Sequence, residues 1–245
     1  MPQLLYLGLL IALVAAPLLA AAFKLLRFNP LSLVPRLTLW AAAIVVLVIA
    51  AMKIEAWRTY LGLDRPMWQS LFLAIFAAAL MLSVLGAHQF VQRTFGKGSP
   101  EQFRQLQNIL ALPFGHRCFL VVTAAVVEEV LYRGYAIGVG QHLLGSVWLA
   151  CVVSVAAFTL AHLRWGLAHL LPVFISALVL TLLFAFTQSL WACIIAHAIV
   201  DAVGFLVVPV IMARRHPVSE HDAGYPLTNR QPACGWSALS DLLCV

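Results

Sequence analysis

The chain alternates between long apolar runs and short polar segments. A run of about 20 apolar residues is long enough to cross a bilayer as one α-helix. The pattern predicts about seven such spans, within a range of six to eight, near residues 4–22, 36–54, 67–87, 118–138, 143–162, 168–187 and 190–212. The predicted fold class is therefore all-α, a polytopic transmembrane helical bundle.

Composition supports a membrane location for these runs. Hydrophobic residues make up 63% of the 245 positions and charged residues only 10%, whereas a soluble domain has about 25% charged residues. The runs are too continuous for a membrane β-barrel, whose strands alternate over about 10 residues. We predict one transmembrane domain over residues 1–212, with a motif-bearing core at 118–205. The polar, proline-containing tail 213–245 is expected to be unstructured and cytoplasmic.

Lysine and arginine are distributed unevenly between the two ends of the predicted spans. The first span has no basic residue before it and two after it, which favours an N-terminus outside and a C-terminus in the cytoplasm. This topology leaves Lys53, Arg58 and Arg65 outside and Arg133 within the membrane. It places eleven basic residues inside: Lys24, Arg27, Arg36, Arg93, Lys97, Arg104, Arg117, Arg164, Arg214, Arg215 and Arg230. The net charge of +6 is thus a topology signal spread over short loops, and we predict no nucleic-acid partner.

Two features of the polar segments complete the layout. Residues 99–114 read as a cytoplasmic interfacial helix, with Ser99 as N-cap and Pro100 at the first helical position. The five cysteines are odd in number, and Cys234 and Cys244 lie in a tail assigned to the reducing cytosol. No disulfide framework is therefore implied.

The segment "AAVVEEVLYRGYAIG" (124–138) places ionisable groups inside a predicted span. Each such group at mid-bilayer costs about 2.5–3.5 kcal/mol on insertion scales, so it needs a partner. Glu129 and Arg133 have the spacing and order of a favourable helical ion pair, which by itself could be purely structural. Glu128 needs another partner, and Tyr132, one turn further on, is expected to donate a hydrogen bond to it.

Two other predicted spans carry matching groups at helical spacing. "FTLAH" places Phe158 and His162 four residues apart, and "HAIVD" does the same for His197 and Asp201. Two carboxylates and two histidines in a low-dielectric pocket can hold and polarise a water molecule. Such a set supplies a general base, a group that orients it and donors to a developing oxyanion, as hydrolysis requires.

In this order, "EEVLYRG" (128–134), "FTLAH" (158–162) and "SLWACIIAHAIVDAVG" (189–204) resemble the motifs of the CPBP family of intramembrane proteases. That family includes the CAAX prenyl endopeptidases and the bacteriocin-processing and Abi proteins. The resemblance covers roughly residues 118–205. It implies an intramembrane endopeptidase that acts on a membrane-associated peptide or protein, in a bacterium at the inner (cell) membrane.

Carried over to this chain, the resemblance implies that Glu128 and His162 activate the attacking water. His197 and Asp201 would stabilise the oxyanion, and Glu129 with Arg133 would be supporting groups. Asp201 stands at a position where the family has asparagine or aspartate. An ionised carboxylate there would repel an oxyanion, so Asp201 is either protonated, an orienting partner of His197 or a metal ligand.

Three alternatives remain open at this level. No cofactor is favoured, but zinc is an alternative, with His162, His197 and Asp201 as ligands. The intramembrane charges could instead form the relay of a proton-coupled transporter, although we find no repeated halves. The chain could also be a bacteriocin-immunity membrane protein without catalysis. The substrate and the oligomeric state are not predicted.

Access to the site is expected from the cytoplasm, because the fifth span ends on that side at His162. His197 lies only about seven residues, or about 10 Å, from the outer end of the seventh span. The two depths agree only if the seventh span is tilted or begins in a re-entrant turn.

Overall fold

A computed structural model describes residues 2–29, 32–95, 108–163, 167–208, 210 and 211. This part of the chain is helical and contains no strand, which confirms the predicted helical bundle. The predicted tail 213–245 and residues 99–107 of the predicted interfacial helix lie outside the described residues.

The first three predicted spans form long apolar helices. α1 comprises Gln3–Leu25 and α2 comprises Leu33–Lys53. A short helix α3, Trp57–Tyr60, and a 3₁₀ turn at Met67–Ser70 lead into α4, Leu71–Phe95. Large apolar side chains on these helices are exposed, as expected of surfaces that face lipid tails.

The fourth predicted span is not a plain α-helix. It runs as α5 (Phe114–Thr123), then as π-helical turns π1 (Ala124–Glu128) and π2 (Val130–Val139), and ends as α6 (Gly140–Leu144). We call this composite 114–144 the motif helix. Every residue of π2 is buried, because α1, α2, α3, α7 and α9 (the last two defined below) all pack against it. Glu129, which joins the two π segments, therefore lies at the centre of the bundle.

The last three predicted spans correspond to three helices: α7 (Val147–Ala161), α8 (Leu167–Thr187) and α9 (Leu190–Ala202). α9 continues as a π-helical turn, π3 (Val203–Val207). Among the described residues, five helices are long and apolar enough to cross a membrane. The motif helix, interrupted by charge, and the 15-residue α7 are the two predicted spans not among them. α7 is about 22 Å long and the hydrocarbon layer about 30 Å thick, so we expect one end of α7 to lie within the membrane.

Small residues line the contacts between helices. The buried alanines of the core include Ala12, Ala43, Ala50, Ala74, Ala77, Ala78, Ala136, Ala177, Ala192 and Ala196. Small side chains at these positions let apolar helices approach closely, which is the usual basis of association within a bilayer.

Two contacts set the relative direction of the helices. The indole of Trp40 on α2 donates to the Thr123 hydroxyl at 3.0 Å. The backbone of Tyr60, at the end of the short helix α3 that follows α2, lies against Gly138. α2 and the motif helix therefore run in the same direction. The amide of Leu190 donates to the Gly62 carbonyl at 2.9 Å, so α9 begins beside α3 and runs the opposite way.

Candidate active site

Glu129 and Arg133 form a fully buried ion pair within the motif helix. The Arg133 Nη1 donates to Glu129 Oε1 at 2.8 Å, so the pair predicted from the i, i+4 spacing is present. The Arg133 Nη2 donates to the backbone carbonyl of Ala177 on α8 at 3.1 Å. The pair therefore ties the motif helix to α8.

His197 of α9 binds the same carboxylate oxygen. Its Nδ1 lies 2.8 Å from Glu129 Oε1, and since a carboxylate only accepts, Nδ1 carries the proton. Within the described part of the chain, the second oxygen of Glu129, Oε2, has no hydrogen-bond partner. Glu129 thus joins α8, through Arg133, and α9, through His197; the sequence predicted its pair with Arg133 but not its bond to His197.

The ring of Phe158 on α7 lies at the centre of the cluster. The Arg133 Cζ lies 4.6 Å from the ring centroid, and the His162 ring stacks on Phe158 at a centroid distance of 4.6 Å. Tyr132 and His197 contact its edge at centroid distances of 5.1 and 6.3 Å. The sequence analysis assigned no role to Phe158, although its position four residues before His162 already placed the two rings on the same face of the helix.

His162 lies directly after α7, where the helix ends. Its Nδ1 is 2.8 Å from the carbonyl oxygen of Phe158. A carbonyl only accepts, so Nδ1 carries a proton. The stacking on Phe158 and this hydrogen bond hold the imidazole in one orientation.

Glu128 differs from its neighbour in its surroundings. Its carboxylate is partly exposed and makes no hydrogen bond or ion pair among the described residues. The prediction that Tyr132 donates a hydrogen bond to Glu128 is wrong. The buried Tyr132 hydroxyl has no partner among the described residues, and its ring packs on Phe158 instead. The charge of Glu128 does act electrostatically on His197 and Asp201.

Asp201 follows His197 by one turn on α9. Its Oδ2 lies 3.6 Å from His197 Nε2, an ion-pair distance that is too long for a hydrogen bond. The imidazole of His197 therefore stands between two carboxylates, Glu129 on the Nδ1 side and Asp201 on the Nε2 side. Within the described residues, no three His, Cys, Asp or Glu side chains are grouped so as to hold a metal ion.

The helical bundle and the cluster of carboxylates and histidines between its helices define a class, an integral membrane protein with ionisable groups in its core. The family follows from comparison. Residues 111–203 match the family model described as Type II CAAX prenyl endopeptidase Rce1-like. The match contains the first two motifs and all but the last residue of the third. It confirms the predicted resemblance to the CPBP and CAAX proteases and therefore points to a protease. No curated protein and no solved structure matches the chain.

Proposed function

We propose that this protein is a CAAX-type intramembrane endopeptidase that hydrolyses a peptide bond close to a membrane anchor of its substrate. The family match supports the protease class. The observation that carries the assignment of roles is the contrast between two adjacent glutamates. Glu129 is buried and bound to Arg133 and His197, whereas Glu128 is partly exposed and has no such partner among the described residues.

Glu128 acts as the general base in this proposal. The Glu129 carboxylate is fully buried and already accepts hydrogen bonds from Arg133 and His197, so it is poorly placed to take a proton from an incoming water molecule. Glu128 keeps both oxygens available for a water proton. His162 presents Nε2 as a second acceptor that orients the same water, since its Nδ1 is engaged by the Phe158 carbonyl.

The reaction then needs no group beyond these residues. Glu128 takes a proton from water while the oxygen attacks the scissile carbonyl carbon. The carbonyl becomes an oxyanion that accepts a hydrogen bond from His197 Nε2–H, which requires the imidazolium form because Nδ1–H already binds Glu129. When the C–N bond breaks, Glu128 returns its proton to the leaving amine.

Asp201 serves His197 in this scheme and does not contact the oxyanion. A negative carboxylate next to the imidazolium favours the charged ring that the oxyanion needs. The separation of 3.6 Å between Asp201 Oδ2 and His197 Nε2 is too long for a hydrogen bond, so the N–H can donate to a substrate oxygen instead.

A pair of peptides tests the proposal. Purified protein in detergent is incubated with a farnesylated peptide that ends in a CAAX sequence, and with the same peptide lacking the lipid. We expect release of the C-terminal tripeptide from the lipidated form, with slower or no cleavage of the other. Cleavage of a bacteriocin leader or a sorting peptide alone would keep the protease class and reject the CAAX substrate. Proton uptake by proteoliposomes without any peptide cleavage would reject the protease.

A further inference from the structure

Arg36 lies in the first turn of α2, outside the segment that matches the family model. Trp40 follows it by one helical turn on the same face of α2. The hydrogen bond of 3.0 Å from the Trp40 indole to Thr123 attaches this face to the motif helix. Thr123 is fully buried and directly precedes π1, the segment that ends in Glu128.

The direction of the helices brings Arg36 to the Asp201 end of the bundle. α2 starts at the level of α5, and α9 reaches that level only near its own end, where Asp201 and π3 lie. α5 packs against both α9 and π3. In keeping with this placement, the charges of Glu128 and Asp201 both act on the partly buried Arg36.

Without Arg36, the carboxylates of the cluster would outnumber its positive charges. The cluster holds three carboxylates, Glu128, Glu129 and Asp201. Arg133 contacts only Glu129 among them, and a protonated His197 offsets one more. One negative charge would then remain inside the membrane, where an unbalanced charge costs several kcal/mol.

We infer that Arg36 is a positioning residue of the site, whose guanidinium balances Glu128 and Asp201 so that both carboxylates can stand close together among the helices. The site then extends beyond the motif-bearing half of the chain. α2 supplies its second arginine, and the Trp40–Thr123 hydrogen bond holds that arginine in register with the motif helix.

A thermal double-mutant cycle in detergent tests this inference without any substrate. Arg36→Gln should lower the melting temperature by about 3 °C or more, because it leaves one carboxylate unbalanced. Adding Asp201→Asn removes that excess charge and should restore most of the loss, so the two changes are not additive. Lys53→Gln, at the exposed far end of α2, is the matched control and should leave the melting temperature unchanged.

Two outcomes would overturn the inference. One is an Arg36→Gln variant as stable as the wild type, and the other is an additive cycle in which Asp201→Asn gives no recovery. If Arg36→Gln yields no folded protein, the double variant decides: folded protein supports charge balance, and its absence contradicts it.

An activity arm rests on the proposed function and uses the lipidated CAAX peptide. Arg36→Gln should lower kcat about a hundredfold through misplacement of Glu128 while KM changes little, since Arg36 does not touch the substrate. Arg36→Lys keeps the charge and should recover most of kcat. Equal loss in both variants would show that charge is not the cause. A wild-type protein that cleaves nothing rejects the proposed function but leaves the thermal cycle intact.

Discussion

Glu128 and Glu129 follow each other in the chain, and the structure surrounds their carboxylates differently. Glu129 is held by an arginine and a histidine from two directions. Glu128 is partly exposed and, among the described residues, acts on His197 and Asp201 through its charge without a hydrogen bond or ion pair. The proposed roles of the two residues depend on this difference, and mutations at each should therefore have different consequences.

Removing the proposed base should stop cleavage without unfolding the protein. Glu128→Gln keeps the size of the side chain and breaks no hydrogen bond among the described residues. We expect turnover of the lipidated peptide to fall by about 10²–10⁴-fold, the usual contribution of a general base. The variant should still fold, with a melting temperature lowered by about 3 °C, because Arg36 loses one of the two carboxylates that it balances. Glu55→Gln, an exposed glutamate far from the cluster, is the control, and a Glu128→Gln variant with near-wild-type turnover contradicts the assignment.

The shared role of Glu128 and His162 can be tested by non-additivity. Groups that act on one water molecule behave as a unit, so the double variant Glu128→Gln with His162→Ala should be hardly slower than Glu128→Gln alone. Rates that multiply instead would show that the two residues act on separate steps.

Arg133 is expected to matter for stability more than any surface arginine. Arg133→Met leaves the Glu129 carboxylate buried without its arginine, and loss of one partner of a buried ion pair costs about 3–5 kcal/mol. The free energy of unfolding in mixed micelles measures this loss. Arg58→Met removes an exposed ion pair with Asp64 and should change it by no more than about 1 kcal/mol. Equal effects of the two substitutions would contradict the buried role.

At the scale of helices, the motif helix is placed by close backbone contacts. A Cβ added to Gly138 would meet the Tyr60 carbonyl, which belongs to the backbone and has little freedom to move. At this point only a glycine lets α3 approach π2. π-helical turns often occur at functional sites, and here two of them flank Glu129.

The Gly138 contact leads to a stability prediction. Gly138→Ala should destabilise the protein by about 1–3 kcal/mol, the usual range for overpacking. Gly86→Ala in α4 has open space around the new methyl group and should be neutral or slightly stabilising. Melting temperatures in detergent measure both. An unchanged melting temperature for Gly138→Ala would mean that α3 is free to shift.

At the scale of the whole molecule, the orientation in the membrane remains a prediction from the basic residues. Glu55, next to α3, and Ala111, before α5, are exposed positions at opposite ends of the motif helix. Single cysteines at these positions, in a background without the native cysteines, should react with an impermeant maleimide from opposite sides. We expect position 111 to be labelled only from the cytoplasm and position 55 only from outside. The reverse pattern would invert the topology.

The absence of a required metal is also a prediction for the whole protein. We propose that Glu128 and the histidines suffice, so purified protein should contain well under one equivalent of zinc. Activity should survive extended dialysis against a strong chelator. Stoichiometric zinc, with activity lost on chelation and restored by added zinc, would instead make His162, His197 and Asp201 candidate ligands.

The two depths that conflicted in the sequence agree in the structure. His162 and His197 both contact the ring of Phe158. α7 is shorter than the hydrocarbon layer is thick, so we expect His162 at its end to lie within the membrane, while α9 continues beyond His197 as π3. A span count based on apolar length alone could not detect this, because it assigns every run the full thickness of the membrane.

By itself, the sequence determined the helical bundle, the order of its spans, the Glu129–Arg133 pair and the three motifs that match the family. These follow from local properties: apolar length, the i, i+4 periodicity of a helix, and residue types at fixed spacing. Only the tertiary structure decided that His197 binds Glu129, that Tyr132 makes no hydrogen bond to Glu128, and that the Phe158 ring contacts both histidines. Each of these depends on how one helix is rotated and displaced against another. That choice is made by the packing of small residues such as Gly138 over the whole bundle, and no spacing along one helix records it.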